Sequence, residues 1–466
     1  MTLPFDVALA ATGAVAYERE QFPAYVRFST DTRSLQAGDV FVALRGERFD
    51  GHTFVREAQA RGASGAIVED AAALPDGFPG LVVAQTTRAY LDLAGAARLR
   101  LHARVAAITG STGKTTTKSL LAQILGHAST RKSAATPANE NNEIGVAKLF
   151  LSLDEDVAYV VVEFGARHYG EIAPLAQIAA PDVAVLTNIG DAHLEIMGSR
   201  ERLAQTKFGI FSSGAQPILN AADAQSRSRA AGLATPPQWF DVLCVGGGDL
   251  PAPSHVTTAI VEDVDRAAIS LVHTGEGAQR ESVRLDLQLP GYHNRWNLAA
   301  AAAAAHALGF SLEAIAEAVP SLRLPAGRYE RSRVGDVEII FDAYNASMSG
   351  TLATLDSFVN EAAPRRIVVL ASMAELGAEA PAMHARVGAR VAGAQVDVLL
   401  VGGQYADDLA RGAREAGFSN VVHFARNDDA VSWLAANARA GDLVLFKGSR
   451  MYRLEEIVEG LRLARA

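Results

Sequence analysis

Two glycines, a lysine and a threonine stand together in one short stretch of this chain, Gly110-Ser111-Thr112-Gly113-Lys114-Thr115-Thr116. Gly110 and Gly113 let backbone N–H groups close on an anion at the positive end of a following helix. Lys114 adds a mobile charge for terminal phosphates, and the Thr115 hydroxyl can ligate Mg²⁺. The apolar run Val105 to Ile108 predicts a buried strand before the turn. Leu120, Leu121, Ile124 and Leu125 predict a helix, Thr115 to Leu125, after it. The spacing departs from G-x-x-x-x-G-K-[ST], because Ile108 occupies the first glycine position. Lys-Thr directly after a glycine, between strand and helix, marks a nucleoside triphosphate site.

Other candidates take their meaning from the strands that carry them. Tyr159 to Glu163 and Val183 to Thr187 are near-continuous apolar runs, the pattern of parallel strands. Open α/β sheets bind ligands beyond the carboxyl ends of such strands. Glu163 and the segment Asn188 to His193 therefore join the phosphate loop at one sheet edge. A buried Glu163 needs a salt bridge or a metal ion, and His193 suits a metal or phosphate as well as a structural role. Thr30, Asp31, Thr32 and Arg33 sit in a polar loop that could hold a nucleotide diphosphate or be a solvated turn. Lys207, Arg328, Asp342, Asn345 and Lys447 carry no individual signal, although the last four fall in loops.

The elements that must position these groups form three units. Residues 1–100 contain a strand after Gly38-Asp39 and a helix near Thr53 to Arg61. Residues 101–320 alternate strand and helix, which predicts a parallel sheet covered by helices. Within them Val283, Leu285, Leu287 and Leu289 alternate with polar residues and predict an antiparallel strand in an inserted hairpin or β-subdomain. The alanine run 299–305 predicts a tightly packed helix capped by Gly309. Residues 321–466 offer strands at 338–341, 367–370, 398–401, 421–424 and 443–446, a second doubly wound sheet. The fold class is α/β in three domains: a small N-terminal one, a central phosphate-loop sheet and a C-terminal Rossmann-like one, with a cleft between the last two.

Composition narrows the function. A net charge of −9 gives no general affinity for nucleic acid. The single cysteine, Cys244, excludes an intrachain disulfide and a cysteine-rich metal site. No stretch reaches the roughly 20 apolar residues of a membrane span, and the N-terminus lacks a signal-peptide pattern. A cytoplasmic protein without membrane insertion is expected.

The chain resembles the Mur ligase family, ATP-dependent enzymes that extend the peptidoglycan precursor. Its shortened phosphate loop, Asn141-Asn142-Glu143, Glu163-Phe-Gly-Ala166, Thr187 to Glu195, Gly291-Tyr-His-Asn294 and Gly327-Arg328 carry the resemblance. So do Asp342-Ala-Tyr-Asn345, Met373 to Gly377 and Lys447-Gly-Ser-Arg450, which match the branch that adds D-alanyl-D-alanine to UDP-N-acetylmuramoyl-tripeptide. The resemblance implies ATP held by Gly110 to Thr116 with Asn297, Arg328 and Asp342, and Mg²⁺ held by Thr115, Glu163 and His193. It implies a catalytic set of Lys114, Glu163, His193 and a carbamylated Lys207. Thr30 to Arg33 would contact the UDP moiety, and Asn345, Ala346, Ser347 and Lys447 the dipeptide. A monomer is expected. Gly209, Met348, Ala222 and Ala371-Ser372 depart from the family pattern. Addition of the third precursor residue, a folylpolyglutamate synthetase and a scaffold that no longer ligates are the alternatives.

Overall fold

The computed structural model describes residues 1–46, 49–191, 194–245, 256–275 and 279–465. Three sheets of five, nine and six strands organise them, with a two-stranded pair at the N-terminus. No helix among the described residues is long and apolar enough to cross a membrane.

The central sheet places the phosphate loop. Its strand Arg104–Thr109 lies between Tyr159–Glu163 and Val183–Leu186, both parallel to it. Glu163 pairs with Ile108 and Leu186 with Thr109, so three strand ends finish level at one edge. The strand is buried on both faces: Val105 and Ala107 enter one apolar cluster, Ala106 and Ile108 another. That two-sided burial is why the sequence reads as an unbroken apolar run. The loop then opens the helix Lys114–Ala128, whose Leu120, Leu121, Ile124 and Leu125 are fully buried. Against it packs the helix Asn294–Ala307, where the small alanine side chains admit a close approach. Gly309, at φ +94°, follows its end and donates its N–H to His306 O at 2.8 Å.

The hairpin expected near 256–289 is present in a different form. Strands Thr258–Asp263, Ala268–Thr274 and Arg280–Arg284 extend the central sheet itself rather than building a separate subdomain. The last strand stops at Arg284, short of the alternation through Leu289. Leu285 is buried, and Leu287 and Leu289 pack on the central core without strand pairing, so the alternating pattern there reflects burial rather than a ladder.

The C-terminal sheet runs Glu330–Val334, Val337–Phe341, Asp442–Lys447, Arg365–Ala371, Val398–Gly402, Val421–Phe424. The five expected strands are all there. The additional Glu330–Val334 is an antiparallel edge strand of charged residues, in which only Val334 is buried. In the N-terminal sheet the expected helix splits into a 3₁₀ turn, Gly51–Phe54, and an α-helix, Val55–Ala60. The Asp50 carboxylate caps the turn by accepting from His52 N–H at 3.0 Å.

Candidate functional site

The phosphate loop is built against the neighbouring strand end. Thr187 Oγ1 donates to Thr112 O at 2.6 Å, Ser111 N–H donates to Asn188 O at 3.0 Å, and Thr112 N–H to Asn188 Oδ1 at 3.1 Å. Side chains have no room at the two glycines. A Cβ on Gly110 would strike Thr187 Oγ1, and one on Gly113, at φ +80°, would strike Asn297 Oδ1. With the Ser111 and Thr112 N–H groups already engaged, the donors left for an anion are that of Gly113 and those of the helix's first turn, Lys114, Thr115 and Thr116. None of these has a backbone acceptor among the described residues. Lys114 Nζ folds back on Gly110 O at 2.8 Å. Burial holds its ammonium below the ordinary lysine range, and the Glu163 charge opposes the shift.

Glu163, fully buried, lies at the second strand end. Its Oε1 accepts from Thr115 Oγ1 at 3.2 Å and from Asn141 Nδ2 at 2.8 Å. Its Oε2 has no hydrogen-bond partner among the described residues and lies 3.3 Å from Lys118 Nζ. Salt bridge and metal ligand, alternatives in the sequence, are thus compatible. Lys118 neutralises the carboxylate from one side, and Oε1 faces the Thr115 hydroxyl on the other. The Glu163 carboxylate and the Thr115 hydroxyl, two hard oxygen donors on adjoining elements that meet at Oε1, fit a Mg²⁺ site. Lys118 also donates to Ala138 O at 2.7 Å, anchoring the loop that carries Asn141. It had no assigned role in the sequence, although its place four residues after Lys114 in a helix puts both on one face.

Lys207 is 1% exposed. Burial lowers its amine well below the usual range, the nearby Lys114 charge acts in the same sense, and Glu163 and Glu171 oppose both. A glutamate in place of Gly209 has little space, because a Cβ there would lie 3.0 Å from Ala173 N. His193 lies outside the described residues.

From the other side the C-terminal sheet presents Asp342 and Lys447, 2.9 Å apart and both buried. Burial alone would raise the Asp342 carboxyl, but Lys447, His293 and Thr354 more than compensate and hold it below the ordinary range. Burial likewise lowers Lys447, against the pull of Asp342. Lys447 Nζ also donates to Asn345 O at 3.0 Å, which fixes the loop of Asn345, Ala346 and Ser347. Ser347 caps the helix Met348–Phe358 by accepting from Gly350 N–H at 3.3 Å. Met348 is the first residue of that helix, a position whose N–H needs no partner, so methionine and proline both suit it. The Arg328 guanidinium lies 4.4 Å over the Tyr344 ring.

Most of these groups, though not Gly110, Lys118 or Lys207, line one cavity of about 1380 Å³ between the two sheets. Ser111 to Thr116, Glu163, Asn297, Arg328, Asp342, Asn345 to Ser347 and Lys447 all border it, as do Phe240, Tyr292 and Trp296. The aromatic wall was not anticipated from the sequence; Trp296 is held by its Nε1 donating to Asp241 Oδ1 at 3.1 Å. Thr30 to Arg33 are not part of this cavity. They form their own turn in the N-terminal sheet, where Arg33 grips Asp31 with contacts of 2.6–3.1 Å and takes its carboxyl down to about 2.

Fold and site together define an α/β nucleotide-dependent protein whose phosphate loop faces a second sheet across a cleft. Comparison with known proteins carries this further. Residues 26–108 match the Mur ligase family catalytic domain, 108–305 the Mur ligase middle domain, and 327–450 the Mur ligase glutamate ligase domain. The UDP-N-acetylmuramoyl-tripeptide–D-alanyl-D-alanine ligase of Synechocystis sp. is 35% identical over 437 residues, covering 93% of this chain and 91% of that protein. A crystal structure of MurF from Acinetobacter baumannii superposes with a TM-score of 0.86 at 28% identity, covering 99% of both chains. MurF ligase from Thermotoga maritima, solved in complex with ADP, gives a TM-score of 0.80 at 27% identity over 94% of this chain and 97% of that one. The chain belongs to the Mur ligase family.

Proposed function

We propose that this protein is an ATP-dependent amide ligase that joins D-alanyl-D-alanine to UDP-N-acetylmuramoyl-tripeptide, releasing ADP and phosphate. The observation that carries the reading is the 35% identity to a ligase of that name across 93% of the chain, which includes the C-terminal sheet facing the phosphate loop. In the proposed division of labour residues 1–100 hold the UDP moiety through Thr30 to Arg33, 101–320 hold ATP, and 321–466 close over the nucleotide and bind the dipeptide. The reading places the enzyme in the cytoplasm as a monomer.

The site's own groups suggest how the reaction runs. The terminal carboxylate of the tripeptide attacks the γ-phosphorus in line, and ADP leaves. The first-turn N–H groups of Lys114 to Thr116 cradle the phosphates, and Lys114 neutralises charge on the transferring group. Thr115 and Glu163 would hold Mg²⁺, which offsets phosphate charge when bound. The dipeptide amine attacks the acyl carbon of the resulting acyl phosphate, a C–N bond forms, the C–O bond breaks with its electron pair leaving on phosphate, and the amine gives up a proton. Closure of residues 321–466 over the cleft would keep water from that intermediate. Phe240, Tyr292 and Trp296 offer the base an apolar wall. Lys207, its amine favoured neutral by burial, is suited to take up CO₂ as a carbamate, a carboxylate-like group beside the phosphate site. ¹³C-bicarbonate should give the wild type a carbamate carbonyl resonance that Lys207→Arg lacks; no such signal in the wild type would remove the carbamate.

Purified protein with ATP, Mg²⁺ and UDP-N-acetylmuramoyl-tripeptide should release phosphate only once D-alanyl-D-alanine is added. Release on addition of a single diamino acid or glutamate would reassign the substrate. No release with any of them would leave a nucleotide- and precursor-binding scaffold.

A further inference from the structure

We infer that Asp191 is a positioning residue that clasps the helix Met348–Phe358 of the C-terminal sheet onto the phosphate loop. Asp191 follows the central strand Val183–Leu186, is 7% exposed, and does not border the cleft. Its Oδ2 accepts from the N–H of Ser349, 158 residues away, in the first turn of that helix. A carboxylate at a helix N-terminus meets unsatisfied N–H groups and the positive end of the macrodipole. Its Oδ1 lies 3.8 Å from Arg200, which also reaches Glu379 of the C-terminal sheet's side at 3.2 Å. Arg200 and Glu379 are half exposed, so this outer pair adds little. The buried contact to the helix is the principal one.

The far end of the same helix is held as well. Ser357 Oγ accepts from His293 N–H at 3.1 Å and shares a hydrogen bond with His293 Nδ1 at 2.8 Å. The eight residue steps from Ser349 to Ser357 span about 12 Å, so the central domain grips the helix at two points along its length. Between the sheets the contact is made close by glycine. A Cβ on Gly190 would lie 2.6 Å from Ser349 Oγ, and one on Gly350 would lie 3.3 Å from Thr112 Cγ2 of the phosphate loop. The helix begins directly after Asn345 to Ser347, and Thr354 on it donates to the Asp342 carboxylate at 2.5 Å. Seating the helix therefore sets Asp342, Lys447 and the Asn345 loop at their distance from Lys114.

The kinetic consequence rests on the ligase reading above, whereas the docking consequence does not. Small-angle scattering of the full chain with MgADP, run beside steady-state ligation kinetics, tests both. Asp191→Ala should enlarge the radius of gyration and lower kcat by about tenfold. Asp191→Asn, which keeps an oxygen for the Ser349 N–H, should recover most of both. Arg200→Ala, at a half-exposed pair, should leave the radius of gyration unchanged and lower kcat by no more than about twofold. A kcat loss with unchanged dimensions in Asp191→Ala, or no change in either, overturns the clasp. If the wild type does not ligate but the variants still expand, the clasp stands and the substrate assignment falls.

Discussion

Lys114 and Lys118 sit one helical turn apart and do different work. Lys114 reaches back over the phosphate loop to Gly110 O, while Lys118 points to the Glu163 carboxylate and Ala138. Replacing Lys114 with alanine should abolish phosphate release while leaving binding of the UDP precursor, measured by calorimetry, within about twofold, because the N-terminal turn is separate from the cleft. Loss of both would indicate global damage. Lys118→Met leaves a buried carboxylate without its cation and should destabilise the fold by about 3 kcal/mol in urea titration. Adding Glu163→Gln should restore much of that stability, since the charge to be neutralised is gone. Additive losses in the double variant would mean that the pair is not coupled. Asp191 belongs at this scale too: one carboxylate whose effect is exerted through a helix it touches end-on.

At the scale of elements, the site depends on how closely two helices approach. The run from Leu298 to Ala305 is buried against the phosphate-loop helix Lys114–Ala128, and Asn297 at its start meets Gly113. Alanine sets the spacing, so Ala301→Leu must either displace the helix or strain its rotamer. The expected cost is about 2 kcal/mol, seen as a lower urea midpoint at unchanged slope. Nucleotide affinity should weaken with it, because Asn297 moves with the helix. An unaltered midpoint would show that the interface has slack. The strands at 105–108, 159–163 and 183–187, buried on both faces, were readable from local pattern, whereas the equally buried Gln216–Asn220 was not singled out. Gln238–Val245, in which buried and half-buried residues mix, and Glu330–Val334, mostly charged, were not readable. Their pairing partners, rather than their own composition, make them strands.

Across the whole molecule, His293 connects the central domain to the C-terminal helix. Burial lowers its imidazole from 6.5 to about 4, with Asp342 opposing and Lys447 assisting. The unfolded chain takes up a proton as pH falls through 6.5, whereas the folded one stays neutral until about 4. Stability from this group is therefore complete above 6.5 and declines between those values, by at most ~3 kcal/mol. The urea midpoint of the wild type should fall between pH 7.5 and pH 5, and His293→Gln should flatten that fall. An identical slope in the variant would assign it to other groups. The Asp342 carboxyl, held below its ordinary value, adds a separate loss at lower pH, where it too must be protonated.

The amino-acid sequence by itself determined the phosphate loop, the level strand ends that carry Glu163, and the α/β alternation of the two larger sheets. Each of these follows from residues close together in the chain: an apolar run buried on both faces, glycines at a tight turn, a lysine opening a helix. Tertiary structure alone decided which groups share the cleft. It brought Asp342 and Lys447 opposite Lys114, gave Glu163 its Lys118 partner, set an aromatic wall of Phe240, Tyr292 and Trp296, and left Thr30 to Arg33 in a separate turn. It also made Asp191 a helix clasp, through a hydrogen bond that spans 158 residues. Such contacts depend on how whole sheets are oriented, and no local periodicity encodes that.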